Sequence, residues 1–161
     1  MRRANRQVTD LAEIQAALDD MKVARVGMFD GKQVYIVPLN HGFKMEGEKI
    51  VFYLHTSKMG HKIDILKENP NVCIELDGRH ELVNADAPCN HSYYYVSLIG
   101  NGTAEFVEDM EEKEYALSLV MRHQTGKDGW QFEEKWVNAV CIFKVELTDY
   151  TVKQHKQGMR K

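Results

Sequence analysis

Residues 55–62 read His-Thr-Ser-Lys-Met-Gly-His-Lys and stand between the apolar run "KIVFYL" and the helix-like "IDILKEN". Thr56 or Ser57 can cap the following helix, leaving backbone N–H groups free in its first turn. Lys58 and Lys62, four apart, share one helical face. Hydroxyls, free N–H groups and ammonium charges together suit an anion, typically a phosphate. The plainer alternative is a capped helix with solvated lysines. Spacing alone leans to that alternative, because no Walker-type glycine spacing is present.

Other chemistry-bearing residues give less. His55 closes an apolar strand, where a histidine commonly satisfies a buried backbone group, and "HTSKMGH" has no carboxylate at HExxH spacing. Cys89 and His91 are two possible metal ligands in a loop, too few for a centre. Tyr93 and Tyr95 fall on one face of a strand and Tyr94 on the other, so barrel core on one side and an interface on the other is the simple reading. Tyr95 or Ser97 beside a planar ligand is the sharper one. Trp130 and Trp136 flank "QFEEK" and either roof a pocket or pack on a rim. No Ser/His/Asp or Cys/His set with a local signature is seen.

The elements that must position these residues follow from periodicity. Asp10 and Glu13 form a capping box, and Leu11, Ile14, Leu18 and Met21 recur at helical spacing. "KVARVGMFD", "QVYIVPLNHGF" and "KIVFYLH" read as three antiparallel strands joined at Asp30-Gly31 and Glu46-Gly47. Pro38 sits inside the middle one and implies an edge, a bulge or a bent barrel strand. A short helix from His61 ends at Asn69-Pro70, and "NVCIEL" follows as a strand. "RHELVNADAPCNH" reads as an irregular connection, a lid over a site being one role for it. "SYYYVSLIGNGTAEFV" is a long strand in which Gly100 and Gly102 suggest a bend or a close backbone approach. A helix ending near Gly126, a final strand through Gln154 and a polar tail over 154–161 complete the chain. About six strands and three helices favour closure into an antiparallel barrel, which hides strand edges.

Composition bounds the rest. A chain of 161 residues with 43% hydrophobic and 28% charged residues fits one soluble domain spanning 1–161. A net charge of −3 argues against nucleic-acid or anionic-membrane partners. The basic start lacks an apolar region, so it is not read as a signal peptide, and no run reaches the roughly 20 apolar residues of a membrane helix. Three separated cysteines without a CxxC arrangement suggest neither a disulfide framework nor a zinc knuckle, and a cytoplasmic protein is expected.

Taken in order, "VPLN", the "H-[ST]-S-x-x-G-x-K" stretch and "YYYVSLIGNGTAEFVEDMEEKEYAL" resemble the pyridoxamine 5'-phosphate oxidase-like flavoproteins, most of all their nitroimidazole-resistance branch. The resemblance covers most of the chain. It implies a split β-barrel that dimerises and binds FMN in two symmetric grooves at the interface. Pro38, Leu39 and Asn40 would lay their backbone against the isoalloxazine ring. His55, Thr56, Ser57, Lys58, His61 and Lys62 would hold the ribityl and phosphate end, and Tyr95, Ser97 and Ile99 of the second chain would complete the site. Two departures stand out: Val96, where a basic residue is common, and His61, where arginine is frequent. The implied activity is transfer of electrons from NAD(P)H through FMN to a small acceptor, a nitroaromatic being one candidate. His55 is the expected acid–base residue, with His123 and Tyr95 behind it. A flavin- or haem-binding carrier or sensor without turnover is the alternative, and a cofactor-free barrel the blandest. Vitamin B6 oxidation is disfavoured, because the arginines for a second phosphate ligand are missing.

Overall fold

The computed structural model describes residues 4–159. Helix α1 (Leu11–Asp20) begins at Asp10, whose carboxylate accepts the Glu13 N–H at 2.9 Å. Its buried Ile14, Ala17 and Leu18 lie at helical spacing and pack into the core. Seven strands follow or flank it: β1 (Gln7–Val8), β2 (Val23–Phe29), β3 (Val34–Glu46), β4 (Lys49–Ser57), β5 (Asn71–Val83), β6 (Ser92–Phe106) and β7 (Val140–His155). Helix α2 (His61–Glu68) connects β4 to β5, α3 (Met110–Thr125) connects β6 to a short α4 (Glu134–Val137), and α4 leads into β7.

Every strand pairing is antiparallel, in the order β1-β7-β4-β3-β2-β5-β6, and β6 pairs again with β7. Six strands therefore close into a ring, and β1 pairs with the edge of β7 at Val152 and Lys153, beyond the end of the β4 ladder. This is the antiparallel split barrel expected from the sequence. Alternation places Phe52, Leu54, Ile74, Leu76, Val96, Leu98, Phe143 and Val145 inside, each at most 1% exposed. Burying each such side chain is worth about 1.5–3 kcal/mol.

Helix α3 is capped by Asp109, which accepts the Glu112 N–H at 2.9 Å, and ends at Gly126 in the left-handed region. It lies across β3 and β4 so closely that a Cβ on Gly42 would come within 2.4 Å of the Leu119–Val120 backbone. Gly102 meets β7 in the same way, 2.4 Å from the Glu146 carbonyl, as its strand composition suggested.

Three boundaries differ from expectation. Strand β5 does not stop at Leu76: it passes a bulge between Gly78 and Glu81 and pairs again with β6 up to Val83. The polar residues Arg79, His80 and Glu81 conceal a strand because this part of it lies at the barrel mouth, in water on both faces. The polar tail expected over 154–161 also starts too early, since Gln154 and His155 are the last residues of β7 and are 6% and 3% exposed. Finally, the two-residue β1 is too short to leave a pattern. Met1 to Arg3, Arg160 and Lys161 lie outside the described residues.

Candidate functional site

The barrel opens where one strand changes partners. Residues Val34–Asn40 of β3 pair with Phe29–Val23 of β2, and from His41 onwards β3 pairs with β4 instead, His41 opposite Leu54. The two ladders do not overlap. Beyond Leu54, β4 leaves β3 and follows β7, with His55, Thr56 and Ser57 opposite Ile142, Cys141 and Val140. Strands β3 and β4 thus diverge into a fork, with Pro38, Leu39 and Asn40 on one arm and His55, Thr56 and Ser57 on the other. On its fork side, 34–40 carries main-chain N–H and C=O groups with no strand opposite. Pro38 is accommodated because a ladder exists on one side only.

Across the fork the side chains are specific. Leu39 packs toward the core, and Pro38 is exposed. The Asn40 amide donates to Gln124 Oε1 at 2.9 Å and to the Lys22 carbonyl at 3.3 Å, which ties this arm to the end of α3. His55 is half-buried, burial pushes its pKa down, and its Nδ1 is sealed from water without a hydrogen-bond partner. An orphaned buried ring nitrogen at the fork is what a bound polar group would satisfy.

The phosphate-like corner differs in one respect from its sequence reading. Neither Thr56 nor Ser57 caps α2: the Ser57 hydroxyl donates to the Met59 carbonyl at 2.7 Å, within its own turn. The cap is Gly60, at φ 129°, a conformation that other residues rarely adopt, and it offers no side chain to the helix. Its carbonyl accepts from the N–H groups of Ile63 and Asp64 at 2.8 and 3.3 Å. That leaves the N–H groups of His61 and Lys62 in the first turn for a ligand, with Lys58 exposed and Lys62 half-buried beside them. Neither lysine has an ion-pair partner among the described residues. His61 turns the other way. Its Nε2 lies 3.7 Å from Asp30 Oδ2 and its ring stands edge-on to Tyr35 at 4.9 Å, bracing α2 against the β2–β3 turn. Asp30 is held below the usual carboxylate range chiefly by the N–H groups of Gln33 and Lys32.

Tyr95, Ser97 and Ile99 lie elsewhere in the chain, on the outer face of β6 and separated from β3 by β5 and β2. A single copy does not bring them to the fork. They share the outer face with Arg25, Glu75 and Asp77, which form an ion-pair cluster, and with exposed Val34, Ile36 and Phe29. His123 is also away from the fork: its ring nitrogens face the carbonyls of His41 at 2.8 Å and Leu18 at 3.0 Å. It clasps α3 to α1 and β3. His41, fully buried beside it, is the residue that sequence reasoning passed over, and an isolated histidine in a strand gives no pattern to find it by. Cys89 and His91 turn to neighbours in their own loop. Trp130 and Trp136 are 43% and 62% exposed on the segment leading to β7.

The fold and the fork define a split-barrel protein whose strands β3 and β4 diverge at one end. Residues 10–154 match the family model described as pyridoxamine 5'-phosphate oxidase, and the chain belongs to that family. Comparison with curated proteins gave no sequence match. Among solved structures, the chain is 34% identical to a protein of Bacteroides thetaiotaomicron provisionally assigned to 5-nitroimidazole antibiotic resistance. That alignment covers 92% of this chain and 86% of the other, with a TM-score of 0.79. A flavocytochrome from Azotobacter vinelandii shares the fold at 19% identity and TM-score 0.77, covering 100% of this chain and 74% of its own. A FAD- and haem-binding protein from Mycobacterium smegmatis does so at 18% identity and TM-score 0.74, covering 97% and 76%. No helix among the described residues is long and apolar enough to cross a membrane.

Proposed function

We propose that this protein is an FMN-dependent oxidoreductase of the cytoplasm. It works as a homodimer, takes electrons from NADH or NADPH and reduces a small acceptor, nitroaromatics being the class to try first. One observation carries the reading: a fork with open main-chain groups on one arm and the unpartnered His55 Nδ1 on the other, next to a helix start that no side chain caps and two lysines without ion pairs among the described residues. These residues fit a flavin mononucleotide in kind and order. Main-chain groups of Pro38, Leu39 and Asn40 suit the edge of a flat heterocycle. His55 and Thr56 suit a polyhydroxyl chain. Ser57, Lys58 and Lys62 with the α2 N–H groups suit a phosphate dianion, which gains from charge-assisted hydrogen bonds. His61 contributes indirectly, by anchoring α2 to the β2–β3 turn.

Bound there, FMN would supply hydride and electron transfer, the chemistry that no side chain offers. The protein would orient the ring, screen it from water and hold a proton at His55, whose burial favours the neutral imidazole. A second copy would close the groove. Val34, Ile36 and Ile99 are 68%, 59% and 51% exposed on one outer face, an apolar surface that association would cover. Tyr95, Ser97 and Ile99 of that copy would meet the flavin. The oxidase family and the FAD-binding neighbour support a flavin, and the nitroimidazole-resistance relative supports a nitroaromatic acceptor. The haem of two neighbours keeps a carrier role as the second reading.

The absorbance spectrum of the purified protein, followed by release and identification of its cofactor, tests the proposal. A flavin spectrum that bleaches anaerobically with NADH or NADPH is expected. A colourless protein that does not bind added FMN would overturn it, and a flavin that reduced nicotinamides leave oxidised would make the protein a carrier.

A further inference from the structure

Helix α3 and the segment that follows it enclose a cavity of about 580 Å³ that the fork does not use. On the helix side, Glu111, Glu114, Tyr115 and Ser118 stand at i, i+3, i+4 and i+7 and so form one stripe. Gly126 and Gly129, at φ 71° and 79°, turn the chain back, and Trp130, Gln131 and Phe132 supply the opposite wall. None of these residues belongs to the fork or to the apolar outer face given above to a second copy.

The lining has one chemical character. It is built of aromatic rings and carboxylates, and no lysine, arginine or histidine is part of it. The helix dipole accounts for Glu111, in the first turn of α3, but Glu114 lies beyond that turn. Neither carboxylate has an ion-pair partner among the described residues. The cations of α3 are engaged elsewhere, Lys113 with Glu108 and Arg122 with Asp128. Two donors of the lining are engaged as well. The Trp130 indole N–H donates to the Lys127 carbonyl at 3.0 Å, and the Ser118 hydroxyl donates to the Tyr115 carbonyl at 2.7 Å. The Tyr115 ring is held edge-on to the buried ring of Tyr53 at 5.9 Å. What this wall still offers a ligand is aromatic surface, carboxylate oxygens and a hydroxyl lone pair.

We propose that this cavity is a second binding site, separate from the fork, for an organic ammonium ion of about the size of choline. A quaternary or tertiary ammonium is weakly hydrated, so the negative faces of Tyr115, Trp130 and Phe132 attract it at little cost in lost water. Glu111 and Glu114 set the sign of the charge that is admitted. An inorganic dication fits worse. No group of three metal-ligating side chains occurs among the described residues, and aromatic rings do not replace the oxygen ligands that such an ion requires.

The experiment is calorimetric titration of the purified protein with choline and with neohexyl alcohol, its uncharged carbon isostere. Saturable binding of choline at least about 10-fold tighter than that of the alcohol is expected, because the two differ in the charge that rings and carboxylates read. Trp130→Leu and Glu114→Gln, both at exposed positions, should each weaken choline about 3–10-fold. Both should leave the FMN titration and the urea midpoint unchanged. The flavin reading fails separately, since a protein that ignores FMN could still bind choline in this way. No saturable binding, equal affinity for the alcohol, displacement of choline by magnesium at equal concentration, or indifference to both substitutions would overturn the proposal.

Discussion

Lys62 is the residue on which the phosphate assignment is easiest to test. It has no ion-pair partner among the described residues, so Lys62→Ala touches folding little. Removing one charge-assisted contact of about 1.5–3 kcal/mol should weaken FMN about 10–100-fold, measured by fluorescence quenching. Unchanged affinity would remove Lys62 from the site. His41 makes a different prediction. Burial first, and then the nearby His123, push its pKa from 6.5 to about 3, and its Nε2–H donates to the Met21 carbonyl at 2.9 Å. The folded state thus binds fewer protons than the unfolded chain. The stabilisation is complete above pH 6.5 and is lost as the pH falls towards the folded pKa. Urea midpoints between pH 7 and 5 should show a loss of about 1.4 kcal/mol per pH unit below 6.5, before carboxylates join. His41→Gln should flatten that slope, and an unchanged slope would assign it elsewhere. At this scale the sequence was legible where residues act in order along the chain, as in His55 to Lys62. It was silent where they meet across the fold, as for His41 with His123.

Among the elements, the tightest constraint is the crossing of α3 over β3 at Gly42. A methyl group there would stand 2.4 Å from helix backbone, which has no side-chain freedom to yield. Gly42→Ala should cost about 1–3 kcal/mol in urea denaturation. It should also loosen the Asn40–Gln124 bond that steadies one arm of the fork, so FMN affinity should fall with stability. Full retention of both would mean that α3 shifts freely. The elements themselves were largely readable, because caps and periodicity are local: Asp10, Gly126 and the meander stand where their patterns put them. The second half of β5 was not, since Arg79, His80 and Glu81 are polar on both faces and pair only because β6 reaches out beside them. Ser57 misled for a related reason. A hydroxyl before a helix can cap the helix or bond within its own turn, and only the positive φ at Gly60 decides between them.

For the whole molecule, the question is what covers the outer face. Ile36 is 59% exposed, opposite Gly27 on the sheet that carries Val34 and Phe29. If two copies meet there, Ile36→Asp buries an unpaired charge at the contact, a cost of a few kcal/mol. Sedimentation should then show monomers, with FMN bound weakly because Tyr95, Ser97 and Ile99 no longer arrive. A variant that stays dimeric would move the interface to another face. Ring closure was inferable from strand number alone, but the face that meets a partner was not, because interior and interface residues carry the same apolar signature.

The change of partner along β3 also has a kinetic meaning. A barrel is a belt, and here the buckle lies between β3 and β4: the β6–β7 seam runs from Tyr95 to Phe106, whereas β3 and β4 hold only from His41 to Glu46. Opening fluctuations of the belt should start at the buckle. Amides of 34–40 that face the fork should exchange with deuterium early in the empty protein and slow sharply once a ligand bridges the two arms. Whatever fills the groove would then fasten the barrel as well as use it.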